Sequence, residues 1–130
     1  MRSRRRLGCR GSITAEFALV IPILLLLSFG IIEFGRTMWV RNSLQSAVED
    51  AVRCYSLKRP ECATVADVKN YAASKSLGVP VTADAFNASV AACGSVAGKK
   101  VTASYPFQSI VPVIPLDYTI TASACRPAPA

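Results

Sequence analysis

The chain is predicted to fold as an α+β protein, with one long N-terminal helix followed by a small, disulfide-stapled head. Three observations support this prediction: an apolar run from Ala18 to Ile32, an amphipathic stretch that continues it to Ser56, and a later change to a period of two. A chain of 130 residues holds one small domain with attachments. A head that small builds a thin core and usually needs covalent support.

Residues 1–11 form a short basic leader. Five of the fifteen basic residues precede Gly11, and the formal net charge of the chain is +7. Because this cluster stands directly before the apolar run, it predicts a cytoplasmic N-terminus by the positive-inside rule, rather than nucleic-acid binding. Residues 57–130 are then expected to form a head on the far side of the membrane.

Residues 12–32 are predicted to span the membrane. Glu16 is the one charged residue in this stretch, and a helix of this length covers about 30 Å, the thickness of the hydrocarbon core. A cleaved secretory signal is disfavoured, because the run ends at Glu33 without a small-x-small cut site. Pro22 lies inside the run and predicts a helix kink, which membrane helices tolerate.

Residues 33–56 are predicted to continue the same helix with one apolar stripe. Apolar residues recur there at spacings of three and four, and polar residues fill the other face. The stripe consists of Val40, Leu44, Ala47, Val48, Ala51, Val52 and Tyr55. It must pack on another surface, most simply on the head of the same chain.

A second, short helix is predicted after a break at Pro60. Thr64 and Asp67 form a capping-box pattern at its start, and Gly78 followed by Pro80 ends it. Its predicted apolar face consists of Val68, Tyr71, Ala72 and Leu77.

Three antiparallel, half-buried strands are predicted from alternating apolar residues. The rows are Phe86, Ala88, Val90 and Ala92; Val101, Ala103, Tyr105 and Phe107; and Tyr118, Ile120, Ala122 and Ala124. A turn over residues 94–98 joins the first two strands, and prolines at 106, 112 and 115 predict an irregular link before the third. The alanine-rich composition of residues 83–93 leaves a helix open as an alternative to the first strand. Residues 126–130 are predicted to form a disordered tail.

Four of the five cysteines follow the membrane segment, where an oxidising environment is expected; Cys9 is the odd one. Cys54 and Cys62 flank the break after the long helix, while Cys93 and Cys125 share the strand parity opposite to the apolar rows. These two pairs are the disulfide candidates, and the other two connectivities remain open. Histidine and Cys-x-x-Cys pairs are absent from the sequence, so neither a metal site nor a cofactor is expected.

One motif marks the start of the apolar run. The basic leader ends in Gly11, four residues follow, and then come Glu16 and Phe17. With residues 16–26, 29–36, 105–107 and 120–124, this motif resembles the TadE-like family, which comprises pseudopilins or minor pilins of the tight-adherence (Flp) branch of type IV pili. Alone the motif would carry little weight, but its position between a basic leader and an apolar helix makes it specific.

The resemblance implies cleavage after Gly11 by a membrane-embedded prepilin peptidase, which leaves Ser12 as the mature N-terminus. Glu16 is then expected to pair with the N-terminal amine of a neighbouring subunit and so to read axial register during assembly. Other implied partners are further pilins or pseudopilins, the inner-membrane Tad assembly platform and membrane lipid. The implied location is the bacterial inner membrane and then the pilus, with roles in assembly or initiation, adherence and biofilm formation.

A major Flp pilin looks like little more than the long helix, whereas this chain also has a head. The head therefore favours a minor, tip or initiating subunit. The alternative function is an unprocessed single-pass membrane protein whose exported head binds a partner. An enzyme is not expected, because the acids are scattered and no nucleophile motif is visible.

Overall fold

A computed structural model describes residues 10–110 and 117–127, with side chains from Thr14 onward. The predicted leader residues 1–9, the link at 112 and 115, and the tail residues 128–130 lie outside these ranges. The elements in chain order are α1 (Arg10–Ser56), α2 (Val65–Lys75), β1 (Phe86–Cys93), β2 (Val96–Gln108) and β3 (Asp117–Pro127). Short 3-10 turns at Pro60–Cys62 and Ala83–Ala85 precede α2 and β1.

The long helix α1 is continuous over 47 residues. Its second half buries the predicted stripe, because residues three and four apart lie on the same face of a helix. Within that stripe Leu44, Ala47, Val48 and Ala51 are all 0% exposed. The stripe packs on the head of the same chain, and the predicted long helix is confirmed.

The short helix α2 begins with the predicted capping box. The hydroxyl and then the backbone N–H of Thr64 donate hydrogen bonds to the Asp67 carboxylate, and together they hold the pKa of Asp67 below its ordinary value. The Asp67 N–H donates in return to the Thr64 hydroxyl at 3.2 Å. Val68 and Ala72 of α2 are buried. The prediction for Leu77 is wrong, because α2 ends at Lys75 and Leu77 is 74% exposed.

The head contains a three-stranded antiparallel sheet in the order β1-β2-β3. Ala88 pairs with Val101, and Val101 pairs with Ala124, so the predicted apolar rows lie side by side. The buried part of this face forms one core with α1 and α2, while serines and threonines alternate onto the other face. The first strand is thus a strand, and the predicted α+β fold is confirmed.

Three details of the predicted strands are wrong. The hairpin turn is Gly94 and Ser95 alone, because Gly94 adopts a φ of 70° and a two-residue turn suffices. Val90 is 66% exposed rather than buried, and Ala92 is exposed as well. At this level the row opens to solvent: Val90 pairs with Lys99, whose ammonium lies over the Tyr55 ring instead of in the core.

Pro106 and the start of the predicted tail also differ from expectation. Pro106 lies inside β2 and pairs with Thr119. Pairing with β1 ends at Ala103, so this part of β2 is an edge on that side, where proline is tolerated. Arg126 and Pro127, predicted to belong to the tail, are the last residues of β3.

The structure places both candidate cysteine pairs at disulfide distance. The Cα atoms of Cys54 and Cys62 are 5.9 Å apart, and those of Cys93 and Cys125 are 5.6 Å apart. The second disulfide joins β1 to β3, which are separated by β2 in the sheet order. Gly98 of β2 permits the approach, since a Cβ there would run into Cys93 Sγ and the Arg126 carbonyl.

Candidate assembly and membrane segment

The first half of α1 has an apolar surface that the head does not cover. Its most apolar window has a mean hydropathy of 2.5 and is 6% buried. The length and composition of the helix fit a membrane span. The exposed large side chains in this half are Phe17, Leu19, Val20, Ile21, Ile23, Leu24, Leu25, Leu26, Leu27, Phe29, Ile31, Ile32 and Phe34.

The residues of the predicted processing motif all lie on the first turns of α1. The backbone at Gly11 and Ser12 is helical, and the helix begins at Arg10, two residues before the predicted start. Glu16 is exposed, and Phe17 beside it is 66% exposed. Positions 12 and 16 are one helical turn apart and therefore share a face of the helix.

Pro22 lies within α1 without ending it. Proline has no backbone N–H, so the carbonyl one turn earlier loses its helical donor. Six residues later, the Ser28 hydroxyl donates a hydrogen bond to the Leu24 carbonyl at 2.8 Å. The bend at Pro22 stays a prediction, while the helix is continuous on both sides of it.

An apolar groove lies on the first half of α1 at Gly30. A Cβ at Gly30 would meet no other atom within 4 Å, so the missing side chain leaves the helix surface open. The groove has a volume of about 470 Å³ and is lined by Ile23, Leu26, Leu27, Gly30, Ile31 and Phe34. Sequence reasoning did not single out this groove, although a glycine within an apolar run was a visible signal.

A polar clamp joins the end of the apolar half to the head. The Glu33 carboxylate accepts a hydrogen bond from the Ile110 N–H at 3.2 Å. Arg36 donates to the Gln108 carbonyl, and its guanidinium lies 4.3 Å from the centre of the Phe107 ring. One turn beyond Glu33, the Thr37 and Tyr118 hydroxyls are 2.7 Å apart.

The clamp fixes the height of the head on α1. Phe107 is buried and stacks against Tyr118 with ring centres 5.1 Å apart, so the clamp is continuous with the core. No local sequence pattern indicates this contact, because Arg36 and Gln108 are 72 residues apart. The head is therefore attached to α1 from Glu33 onward, while residues 10–32 of the helix extend beyond it.

Within residues 10–110 and 117–127, no group of three or more His, Cys, Asp or Glu side chains could hold a metal ion. The arrangement instead resembles an apolar rod with a carboxylate near its start and a head at its other end. The sequence of this rod is similar to that of a known protein family. Residues 11–53 match the family model of the TadE-like protein.

The TadE-like match confirms the predicted resemblance over this segment. It suggests a Tad pilus-related protein, and this family is typically structural rather than enzymatic. No curated protein and no solved structure gives a significant match to the chain. The TadE-like segment contains Glu16, the groove at Gly30 and the helix side of the clamp, whereas α2 and the sheet lie outside it.

Proposed function

We propose that the chain is a minor pilin, or pseudopilin, of a Tad (Flp) type IV pilus. It is made as a prepilin, inserts through α1 into the bacterial inner membrane with its N-terminus in the cytoplasm, and exposes the head on the far side. After cleavage it takes part in pilus assembly or initiation, and through the pilus in adherence and biofilm formation. The observation that carries this proposal is the TadE-like match to a helix whose first half is apolar and uncovered.

The proposed cut lies between Gly11 and Ser12. Both residues are in the first turn of α1, where the backbone N–H groups have no helical partner, so this turn can open at little cost. Glycine offers the prepilin peptidase a backbone without side-chain obstruction. The cut removes five arginines, which otherwise hold this end of the helix in the cytoplasm.

Glu16 is the proposed register sensor of assembly. An ionised carboxylate on a membrane helix is costly, up to about 2.5–3.5 kcal/mol at the bilayer centre by insertion scales. Pairing with the Ser12 amine of a neighbouring subunit relieves this cost only at one axial offset. A subunit in the wrong offset leaves both charges unpaired in an apolar environment, so the correct register is favoured.

The groove at Gly30 is the proposed contact for the helix of another pilin or of a second copy. Without a side chain at Gly30, two helices can approach closely and gain van der Waals contact. The head supports a minor or initiating role, because it covers one face of the second half of α1 and buries the stripe that starts at Val40.

The test is N-terminal sequencing of the chain after co-expression with an active prepilin peptidase and the Tad assembly platform. We expect the mature chain to begin at Ser12. Gly11→Val should block the cut, because a branched side chain obstructs the backbone. Gly8→Val is the matched control in the same leader and should still be cleaved.

A chain that keeps residues 1–11 in the presence of active peptidase contradicts the proposal and favours the unprocessed single-pass membrane protein. The second step is tested separately with Glu16→Gln, which keeps the shape of the side chain and removes its charge. We expect normal cleavage and reduced recovery in sheared pili. Full recovery of Glu16→Gln in pili would refute the role of Glu16 in assembly.

A further inference from the structure

The base of the head carries an unusual set of exposed apolar side chains. Phe34 is 64% exposed, Trp39 62%, Leu77 74% and Ile110 69%. They come from three separate segments: α1, the loop after α2 and the link after β2. Large apolar groups that converge from separate segments on one exposed zone indicate a contact surface. We name these four side chains the basal collar.

The collar occupies one continuous stretch of α1, directly beyond the apolar half. The Ile110 N–H bonds to Glu33, and the Leu77 carbonyl accepts a hydrogen bond from the Ser43 hydroxyl at 3.0 Å. Glu33 and Ser43 are separated by about 15 Å of helix. The apolar run ends at Ile32, so the collar begins where the proposed membrane span ends.

The collar also surrounds the helix rather than occupying one side. Phe34 and Trp39 are five residues apart, which places them about 140° apart around the axis. Ile110 lies on the third side, where Glu33 faces the head. A neighbouring subunit would touch one of these sides, whereas the lipid interface surrounds α1 and contacts all of them.

The residue types suit the boundary between lipid and water. A tryptophan ring is apolar with one N–H donor, and such rings concentrate at the level of lipid headgroups. Trp39 lies beside Gly78, and with Leu77 it lines a shallow groove of about 270 Å³. Lys75 borders this groove and Arg41 is exposed one turn from Thr37, so cations that suit anionic lipid flank the collar.

We propose that the basal collar seats the head in the lipid interface of the membrane, so that the head lies on the bilayer instead of standing free above it. The inference rests on the proposed insertion of α1 and adds a second lipid contact, made by the head itself. During extraction into a pilus, this contact has to be broken in addition to the removal of the helix.

The sequence contains one tryptophan, so Trp39 reports on its own surroundings without mutation. The full chain is reconstituted in vesicles of phosphatidylcholine and phosphatidylglycerol whose acyl chains carry bromine either near the headgroup or near the bilayer centre. We expect the shallow bromines to quench about half of the Trp39 emission, and the deep ones much less, because interfacial rings lie at headgroup level.

Two variants in a Trp39→Phe background provide reference values for quenching inside the bilayer and outside it. Leu25→Trp reports on the apolar half and should be quenched by the deep bromines. Leu57→Trp, at an exposed position just after α1, should be quenched by neither. If Leu25→Trp escapes quenching, the insertion of α1 fails and the collar fails with it. If Leu25→Trp is quenched and Trp39 is not, the anchor stands and the collar is refuted.

A shielded Trp39 that neither bromolipid nor aqueous iodide reaches would identify a neighbouring protein as the occupant and would also refute the lipid contact. A final variant, Leu77→Ser with Ile110→Ser, leaves Trp39 in place and changes two side chains that are mostly exposed. We expect it to lower the shallow quenching of Trp39 and to shift its emission to longer wavelength. Unchanged quenching would show that Trp39 reaches lipid without a collar and would contradict the proposal.

Discussion

The two halves of α1 share one backbone but differ in what surrounds them. Between Phe17 and Phe34 the large side chains are exposed on every face, and the most apolar window is 6% buried. Between Val40 and Val52 one stripe is buried against the head at 0–7% exposure. A helix apolar on all sides suits lipid or other helices, whereas a one-sided stripe suits a packed core. The burial of a side chain within the chain therefore indicates its contribution to the stability of the head in the second half of α1 only.

The strongest test of the difference between the two halves of α1 is the same leucine-to-alanine substitution made in each half. Leu44→Ala should lower the free energy of unfolding of the head by about 2–5 kcal/mol, because Leu44 is 0% exposed and its removal leaves a cavity. Leu25→Ala is the matched control; Leu25 is 48% exposed and its loss should change head unfolding by less than about 0.5 kcal/mol. Urea unfolding in detergent micelles, followed by near-UV circular dichroism, measures both. Equal losses would contradict the division of the helix.

The next prediction compares the two disulfides of the head. Converting Cys93 and Cys125 together to alanine should cost about 3–4 kcal/mol, because this bond closes the longer loop, with a sequence separation of 32. Converting Cys54 and Cys62 should cost about 2–3 kcal/mol, since the separation is 8. The same urea titration ranks the two double variants. A reversed ranking would show that the small pair stabilises the junction with α1 by more than loop closure.

Substitution of two glycines, one in the head and one in the apolar half of α1, should give a smaller difference in stability. Gly98→Ala should destabilise the head by about 1–3 kcal/mol, because the added methyl meets the Arg126 carbonyl and Cys93 Sγ. Gly30→Ala adds the same methyl where nothing lies within 4 Å, and alanine favours helix by about 1 kcal/mol over glycine. We expect Gly30→Ala to leave head unfolding unchanged and to weaken packing with another helix. Crosslinking yield in micelles measures the second effect.

The same division explains which features the sequence could predict. Local sequence patterns predicted the stripe on α1, the strand parity and the capping box, because each of these features depends on residues a few positions apart. Parity made Cys93 and Cys125 a candidate pair on the condition that their strands are neighbours, whereas the structure joins them across β2. In that case Gly98 supplied the space, and its role depends on the sheet order.

Features that depend on distant contacts could not be predicted. The clamp at Glu33 and Arg36 joins residues more than 70 positions apart, and no local pattern signals it. Leu77 and Val90 continue an apolar pattern but lie where the core has ended, so their periodicity was misleading. The extent of a small core depends on where its covering helices stop, which is a tertiary property.

The smallest predicted effect is the pH dependence of the capping box in α2. The pKa of Asp67 is lowered in the folded head by the Thr64 hydrogen bonds, so its ionised form favours folding. This contribution is present above the pKa of Asp67 in the unfolded chain and is lost as the pH falls through the lower, folded value. Asp67→Asn should therefore reduce stability near pH 7 and converge with the parent chain in acid, as measured by urea midpoints across pH. Asp84→Asn, at an exposed acid outside the capping box, is the control and should leave the urea midpoint near pH 7 unchanged. If the midpoints of Asp67→Asn and the parent chain stay separated by the same amount at every pH, the capping box acts through its shape and not through the charge of Asp67.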